Sequence, residues 1–211
     1  RDPVVTMPKG HRVGGGLVGK SAANVGVSRH ADVVPYIAFT VTANGSGSIT
    51  NTGNGTDTQS YTKSGTQGWD TQVYCGTAFT KPITIECNKN ASYGDDGQSY
   101  AMIGWNTDPT TDASYSSLDH ASYPYCQAVY QVYHNGSQVQ FGGTWSPSNK
   151  FYIVYSADGY IRHWNGSRLM YSANYGSNTV YLDSSFYSPY SNSAFTNVRI
   201  TKREWNGIRY V

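Results

Sequence analysis

The chain has 211 residues, a formal net charge of +2 and only 13% charged residues, about half the usual share of roughly 25%. With no Lys/Arg run and so small a net charge it lacks the electrostatic footprint of a nucleic-acid binder. Its longest apolar stretch, Val33 to Phe39, falls far short of the roughly 20 residues a membrane helix needs.

Nineteen Tyr, five Trp and 23 Gly, with only two Glu (Glu86 and Glu204), leave few strong helix formers and many strand-favouring side chains. Residues 1–31 are Gly-rich and carry too few large apolar groups to offset their own ordering, so they read as an extended arm or attachment segment. Residues 32–68 read as a short β segment and polar linker. Ile37, Phe39 and Val41 alternate there against Ala38, Thr40 and Thr42, and a turn-rich stretch follows from Asn44 to Gly68.

Residues 69–211 carry the stronger strand signals. Phe79–Cys87 alternates through Ile83, Ile85 and Cys87, and Ser99–Trp105 is a further candidate. Ala128–Phe141 predicts a hairpin closed by Asn135-Gly136, because a type I′ turn requires positive φ at both central residues. Phe151–Ala173 predicts a three-strand meander turning at Asp158-Gly159 and Asn165-Gly166, and Val180–Leu182 and Ala194–Ile200 supply later strands. No window shows helical periodicity, so the expected fold is all-β, an antiparallel sandwich.

Several motifs fail on context. Gly14–Ser21 fits the phosphate-loop pattern GxxxxGK(S/T), but no helical pattern follows, no later apolar strand ends in Asp, and there is no βαβ alternation. Five N-x-S/T sequons, at Asn44, Asn54, Asn90, Asn135 and Asn165, are mostly Asn-Gly turn signals. Three cysteines (Cys75, Cys87, Cys126) allow one disulfide at most, and none has zinc-ligand spacing. The Glu pair stands apart, and no GxSxG elbow or Ser/His/Asp spacing supports nucleophilic catalysis, so no catalytic residue is assigned. Asp95, Asp96, Asp108, Asp112 and Asp119 cluster between Tyr93 and His120 and could hold a hard cation such as calcium, with Asp95, Asp96 and Asp108 as the candidate ligands and a solvated loop as the alternative. No other cofactor is expected.

What remains is aromatic and hydroxyl-rich surface. The loop Asn106–Tyr125 carries Tyr115, Asp119, His120, Tyr123 and Tyr125; Trp145 follows, and Arg162 and Trp164 alternate on the meander. Rings beside hydroxyl, amide and carboxylate groups suit a sugar, which has an apolar face rimmed by hydroxyls. These eight residues are the candidate glycan contacts, with packing between sheets as the alternative for Trp145 and Trp164.

The meander Phe151–Ala173 and the strand Ala194–Ile200 resemble the concanavalin-A-like lectin/glucanase jelly roll, in the form found on phage tail fibres and spikes. The resemblance implies two curved antiparallel sheets with a carbohydrate-binding face. No E-x-D-x-x-E strand is present and the legume-lectin metal loop has no match, so binding is implied rather than hydrolysis. The expectation is a virion surface protein, extracellular and non-enzymatic, that binds a host-surface carbohydrate or receptor. Its arm would join other virion proteins, and it would be a homo-oligomer, a trimer by analogy, with no nucleic acid and no membrane insertion. The alternatives are a structural capsid, tail or decoration protein whose jelly roll packs on neighbouring subunits, and, further off, a glycan-cleaving enzyme.

Overall fold

The computed structural model describes residues 33–90, 99–125, 129–190 and 193–211. Gly14–Ser21, Asp95, Asp96 and Cys126 lie outside them. The strands are β1 (Val41–Gly45), β2 (Ser48–Thr52), β3 (Gln59–Ser64), β4 (Thr71–Cys75), β5 (Ile83–Lys89), β6 (Ala101–Asn106) and β7 (His120–Tyr125) in the first half. The second half adds β8 (Val129–His134), β9 (Ser137–Thr144), β10 (Phe151–Tyr155), β11 (Tyr160–Asn165), β12 (Arg168–Asn174), β13 (Tyr181–Phe186) and β14 (Phe195–Thr201). One 3-10 turn, Tyr115–Ser117, is the helical element among the described residues.

These strands form two seven-stranded antiparallel sheets. The first runs β12-β11-β10-β5-β14-β3-β2 and the second β1-β4-β13-β6-β7-β8-β9. Two-residue alternation fills the space between them: Ile83, Ile85, Phe151, Ile153, Tyr155, Ile161 and Phe195 from the first sheet meet Val73, Ile103, Trp105, Tyr130, Val132, Leu182 and Phe186 from the second. The Trp105 indole N–H donates across the core to the Ile153 carbonyl at 3.0 Å. Residues 34–211 form one compact unit.

The meander is as expected, β10 pairing with β11 and β11 with β12. The Asn135-Gly136 turn has φ of 47° and 76°, the positive pair that closes the β8–β9 hairpin. The closing strand β14 lies between β5 and β3. Other segments differ from expectation. Val33–Ala43 predicts a longer strand than forms: Tyr36 makes an isolated bridge to Thr201, and continuous pairing starts at Val41. The polar stretch 44–68 is no free linker, since it holds β2 and β3 at the edge of the first sheet. The loop Asn106–Tyr125 ends in a strand, β7, despite Pro124.

The outer face of the first sheet is covered by the C-terminal segment. Trp205 and Tyr210 bridge to each other, Trp205 stacks on Tyr152 at 4.2 Å, and Tyr36 sits edge-on to Tyr210 at 6.4 Å. Beneath these rings the buried Glu86 carboxylate pairs with the Lys150 ammonium at 3.1 Å. The Tyr36 hydroxyl is pushed up to about 12 by burial and then by the neighbouring Glu86. Cys75 and Cys87 are free, buried thiols.

Candidate functional site

The second sheet has an outer face built from the residues that alternate with the core positions. Met102, Ala121 and Tyr123 point outward there, joined by Leu118 from the loop before β7. That loop is strapped onto the face by three hydrogen bonds: Gln72 Nε2 to the Pro109 carbonyl at 2.8 Å, Ser185 Oγ to the Ala113 carbonyl at 2.7 Å, and the Asn135 N–H to the Leu118 carbonyl at 3.0 Å. A carboxyl lies under the strap. Asp183 is 1% exposed and accepts from Asn106 Nδ2 and the Ser184 N–H; burial drives it well above the usual carboxylate range.

Beyond the strap, Trp69, Tyr100, Tyr115, Tyr123, Tyr125, Tyr133 and Tyr187 form one connected tract of seven rings. Trp69 is the hub, with centroids 4.9 Å from Tyr115, 5.7 Å from Tyr123 and 5.6 Å from Tyr187. Tyr100 lies 5.5 Å from Tyr187 and stacks on Tyr125 at 5.1 Å, their hydroxyls 3.3 Å apart. Tyr133 touches both Tyr115 and Tyr123. Tyr123 is buried among its neighbours, whereas the other six are half-exposed. Burial raises the Tyr133 hydroxyl, with Tyr115 adding to it. Across the sheet Tyr123 pairs with Gln131 and Gln131 with Phe141, which is 62% exposed on the edge strand. Gln138 donates to Gln131 at 2.7 Å, so an amide lies between the tyrosine tract and the phenylalanine.

Chemically, such a surface is a docking plate. Half-exposed rings give flat apolar area at little entropic cost, and their hydroxyls supply donors and acceptors at the rim. Among the described residues, its side chains show no Ser–His contact. Ser122 Oγ does lie 2.9 Å from His163 Nδ1, but both residues are fully buried in the core, and the hydroxyl also bonds Tyr130 at 2.6 Å. No three His, Cys, Asp or Glu side chains converge as a metal-ligating set among the described residues. Asp108 is exposed on the loop, away from any such grouping. Asp95 and Asp96 lie outside the described residues, so of the three candidate ligands only Asp108 is placed.

Of the candidate contacts read from the sequence, the structure brings Tyr115, Tyr123 and Tyr125 into one tract and scatters the rest. Trp145 is 4% exposed, edge-on to Phe151 in the core, with its indole N–H on the Tyr125 carbonyl at 2.9 Å. It offers no ring to solvent. His120 is 1% exposed, stacked on His134 at 4.4 Å and edge-on to Tyr175 at 4.6 Å, inside the sandwich. Asp119 anchors the strap, accepting from the Thr107 N–H and hydroxyl and from the Tyr175 hydroxyl. Arg162 and Trp164 lie on the first sheet, facing away from the tract. There Arg162 pairs with Asp158 at 2.7 Å and pulls that carboxyl down to about 2, while Trp164 packs against Gly207. The rings that the sequence reading missed are Trp69, Tyr100, Tyr133 and Tyr187. Tyr133 and Tyr100 were findable, within the hairpin and within the strand candidate Ser99–Trp105, but Trp69 and Tyr187 stand just outside strand ends, where no periodicity marks them.

No protein-family model matches the chain, and no curated protein matches it in sequence. Solved structures do match in fold. The VIP36 exoplasmic/lumenal domain, in its Ca2+/Man3GlcNAc-bound form, is 8% identical with a TM-score of 0.51, over 78% of this chain and 84% of that one. The Emp47p carbohydrate recognition domain is 10% identical with a TM-score of 0.51, over 76% and 87%. Trypanosoma rangeli sialidase in complex with sialic acid is 12% identical with a TM-score of 0.53, over 82% of this chain and 32% of that enzyme. At these identities the likeness establishes the fold, a lectin-like β-sandwich.

Proposed function

We propose that the protein is a non-catalytic glycan-binding module that docks a host-surface carbohydrate on the outer face of the second sheet. The observation that carries this reading is the connected tract of half-exposed rings, with Trp69 at its centre and tyrosine hydroxyls at its rim. A sugar's apolar face stacks on such rings, and its hydroxyls meet the phenols and the Gln131–Gln138 amides. The contacts assigned are Trp69, Tyr100, Tyr115, Tyr125, Tyr133 and Tyr187, with Phe141 at the edge. One sandwich of the same fold, the VIP36 domain, is described in a Man3GlcNAc-bound form. The resemblance of the meander and closing strand to tail-fibre and spike jelly rolls supports a place on a virion surface. The arm 1–31 would attach the module to other virion proteins, and several copies on one particle would raise avidity by effective concentration.

The test is a glycan array probed with the wild type and with Trp69→Ala and Tyr125→Ser, each checked for an unchanged unfolding transition. Losing one aromatic anchor should weaken binding about 10- to 100-fold, the range of a hot-spot residue. Chelation by EDTA should leave the signal intact, because the rings and not a metal hold the sugar. A folded wild type that binds no glycan, or variants that bind as well as it does, would sink the reading. In that case the tract would be an interface between subunits, where Tyr and Trp are also enriched.

A further inference from the structure

Two lysines lie inside the sandwich, pointing from the first sheet toward the second. We propose that Lys63 and Lys89 are positioning residues of the ring tract, their ammonium groups fixing the chain segments that carry Trp69, Tyr100 and Tyr187. The functional meaning of this role rests on the glycan-site reading; the positioning itself does not.

Lys63 is the last inward residue of β3 and Lys89 the last of β5, at 1% and 0% exposure. A lysine normally carries its charge out to water. Burying the ammonium is costly unless hydrogen bonds replace its hydration. Lys63 Nζ donates to the carbonyls of Gly68 at 2.8 Å, Phe186 at 3.1 Å and Tyr187 at 3.3 Å, and to Asp70 Oδ1 at 2.7 Å. Its path crosses Gly47, where a Cβ would stand 2.6 Å from Lys63 Cε. Lys89 Nζ donates to the Ser99 carbonyl and hydroxyl, both at 2.8 Å, and lies 5.6 Å from the centre of the Phe195 ring.

The receiving groups belong to the tract's own supports. Gly68 precedes Trp69, Ser99 precedes Tyr100, and Tyr187 is itself one of the rings. Two main-chain bonds and one to a side chain join the three segments: Gly68 N–H to the Tyr187 carbonyl at 3.1 Å, Tyr187 N–H to the Tyr100 carbonyl at 3.0 Å, and Tyr100 N–H to the Ser188 hydroxyl at 2.9 Å. All three rings stand just beyond the ends of β4, β6 and β13, where the strand ladders no longer hold the backbone. An apolar side chain fills the same volume but cannot gather carbonyls from Gly68, Phe186 and Tyr187 onto one point. A cation with three donors can.

The experiment replaces Lys63 and Lys89 singly by Met, which keeps length and removes the donors. The readout is the indole N–H signal of Trp69 in a proton–nitrogen correlation spectrum, assigned with Trp69→Phe; Trp105, Trp145, Trp164 and Trp205 serve as internal controls. Lys63→Met should move or broaden the Trp69 signal alone, and Lys63→Arg, which restores donors, should bring it back in part. Both Met variants should weaken glycan binding about tenfold, the equivalent of one misplaced ring contact. If Lys63→Met does not fold, Gly47→Ala substitutes for it, since it keeps the charge while its Cβ would stand 2.6 Å from both Lys63 Cε and Thr71 Oγ1, and should again shift the Trp69 signal ahead of the other four. An unmoved Trp69 signal in a folded variant, or five indoles moving together, overturns the proposal. A wild type that binds no glycan removes the glycan reading but leaves the indole pattern to decide the role of Lys63 and the Tyr100 amide signal to decide that of Lys89. That amide signal should move in Lys89→Met, and an unmoved one overturns the role of Lys89.

Discussion

Acid should unfold this protein partly through one histidine, and the size of the effect follows from its surroundings. His120 is 1% exposed, and neither ring nitrogen has a hydrogen-bond partner among the described residues. His134 stacks on it, His163 and Tyr175 face it, and Asp119, its chain neighbour, is taken up by Thr107 and Tyr175. Burial first, and then the nearby His134, lower its pKa to about 3, against an ordinary value near 6.5. The folded state therefore keeps His120 neutral while the unfolded chain takes up a proton. The stabilising contribution is complete above about pH 6.5 and is lost as pH falls toward 3. Taking the protein from pH 7.5 to 4.5 should cost on the order of 3 kcal/mol through this group, at about 1.4 kcal/mol per unit of separation. His163, also held low by burial, adds in the same direction. Asp183, whose carboxyl is raised, acts in the opposite one, since its contribution is present at low pH and lost as pH rises. The wild-type slope is thus a sum, and the comparison with His120→Gln isolates one part of it. Urea unfolding at pH 7.5 and 4.5, followed by tryptophan fluorescence, should show the wild type losing about 1–3 M more in midpoint than the variant, for a typical slope of 1–3 kcal/mol per molar. Equal pH dependence in the two proteins would refute the reasoning.

Two other outcomes separate packing from recognition. Trp145→Ala should destabilise the fold by about 3–5 kcal/mol, the usual cost of emptying a buried Trp site; a melting curve close to the wild type would contradict its place in the core. Phe141→Ser, on an exposed edge, should leave stability within about 0.5 kcal/mol. It should weaken long oligosaccharides more than short ones, because Phe141 extends the face past Gln131; calorimetry on a length series checks this.

How much of this was legible beforehand depended on whether the signal was local. The hairpin at Asn135-Gly136 and the meander at Asp158-Gly159 and Asn165-Gly166 were readable because turn chemistry and alternation lie within a few residues. β7 was not, because its Ser and Pro disguise a central strand, whose Ser122 is buried against His163 of the opposite sheet, 41 residues further on. The site shows the same division. Tyr115, Tyr123 and Tyr125 stood close in sequence and were found together, while Trp69 and Tyr187 reach the tract through antiparallel neighbours more than a hundred residues apart in sequence. Ring size alone misled: Trp145 and Trp164 resemble surface anchors in composition, yet only the pairing of β9 and β11 shows which way they face.

The clasp formed by Glu204 and Val211, whose main chains bond each other at 2.9 and 3.1 Å, lies against the first sheet, behind the rings. A biotin or affinity tag placed after Val211 would accordingly hold the molecule by its back, like a mirror on a wall bracket. Immobilised that way, every copy on a sensor chip would turn its tyrosines toward the flowing sample.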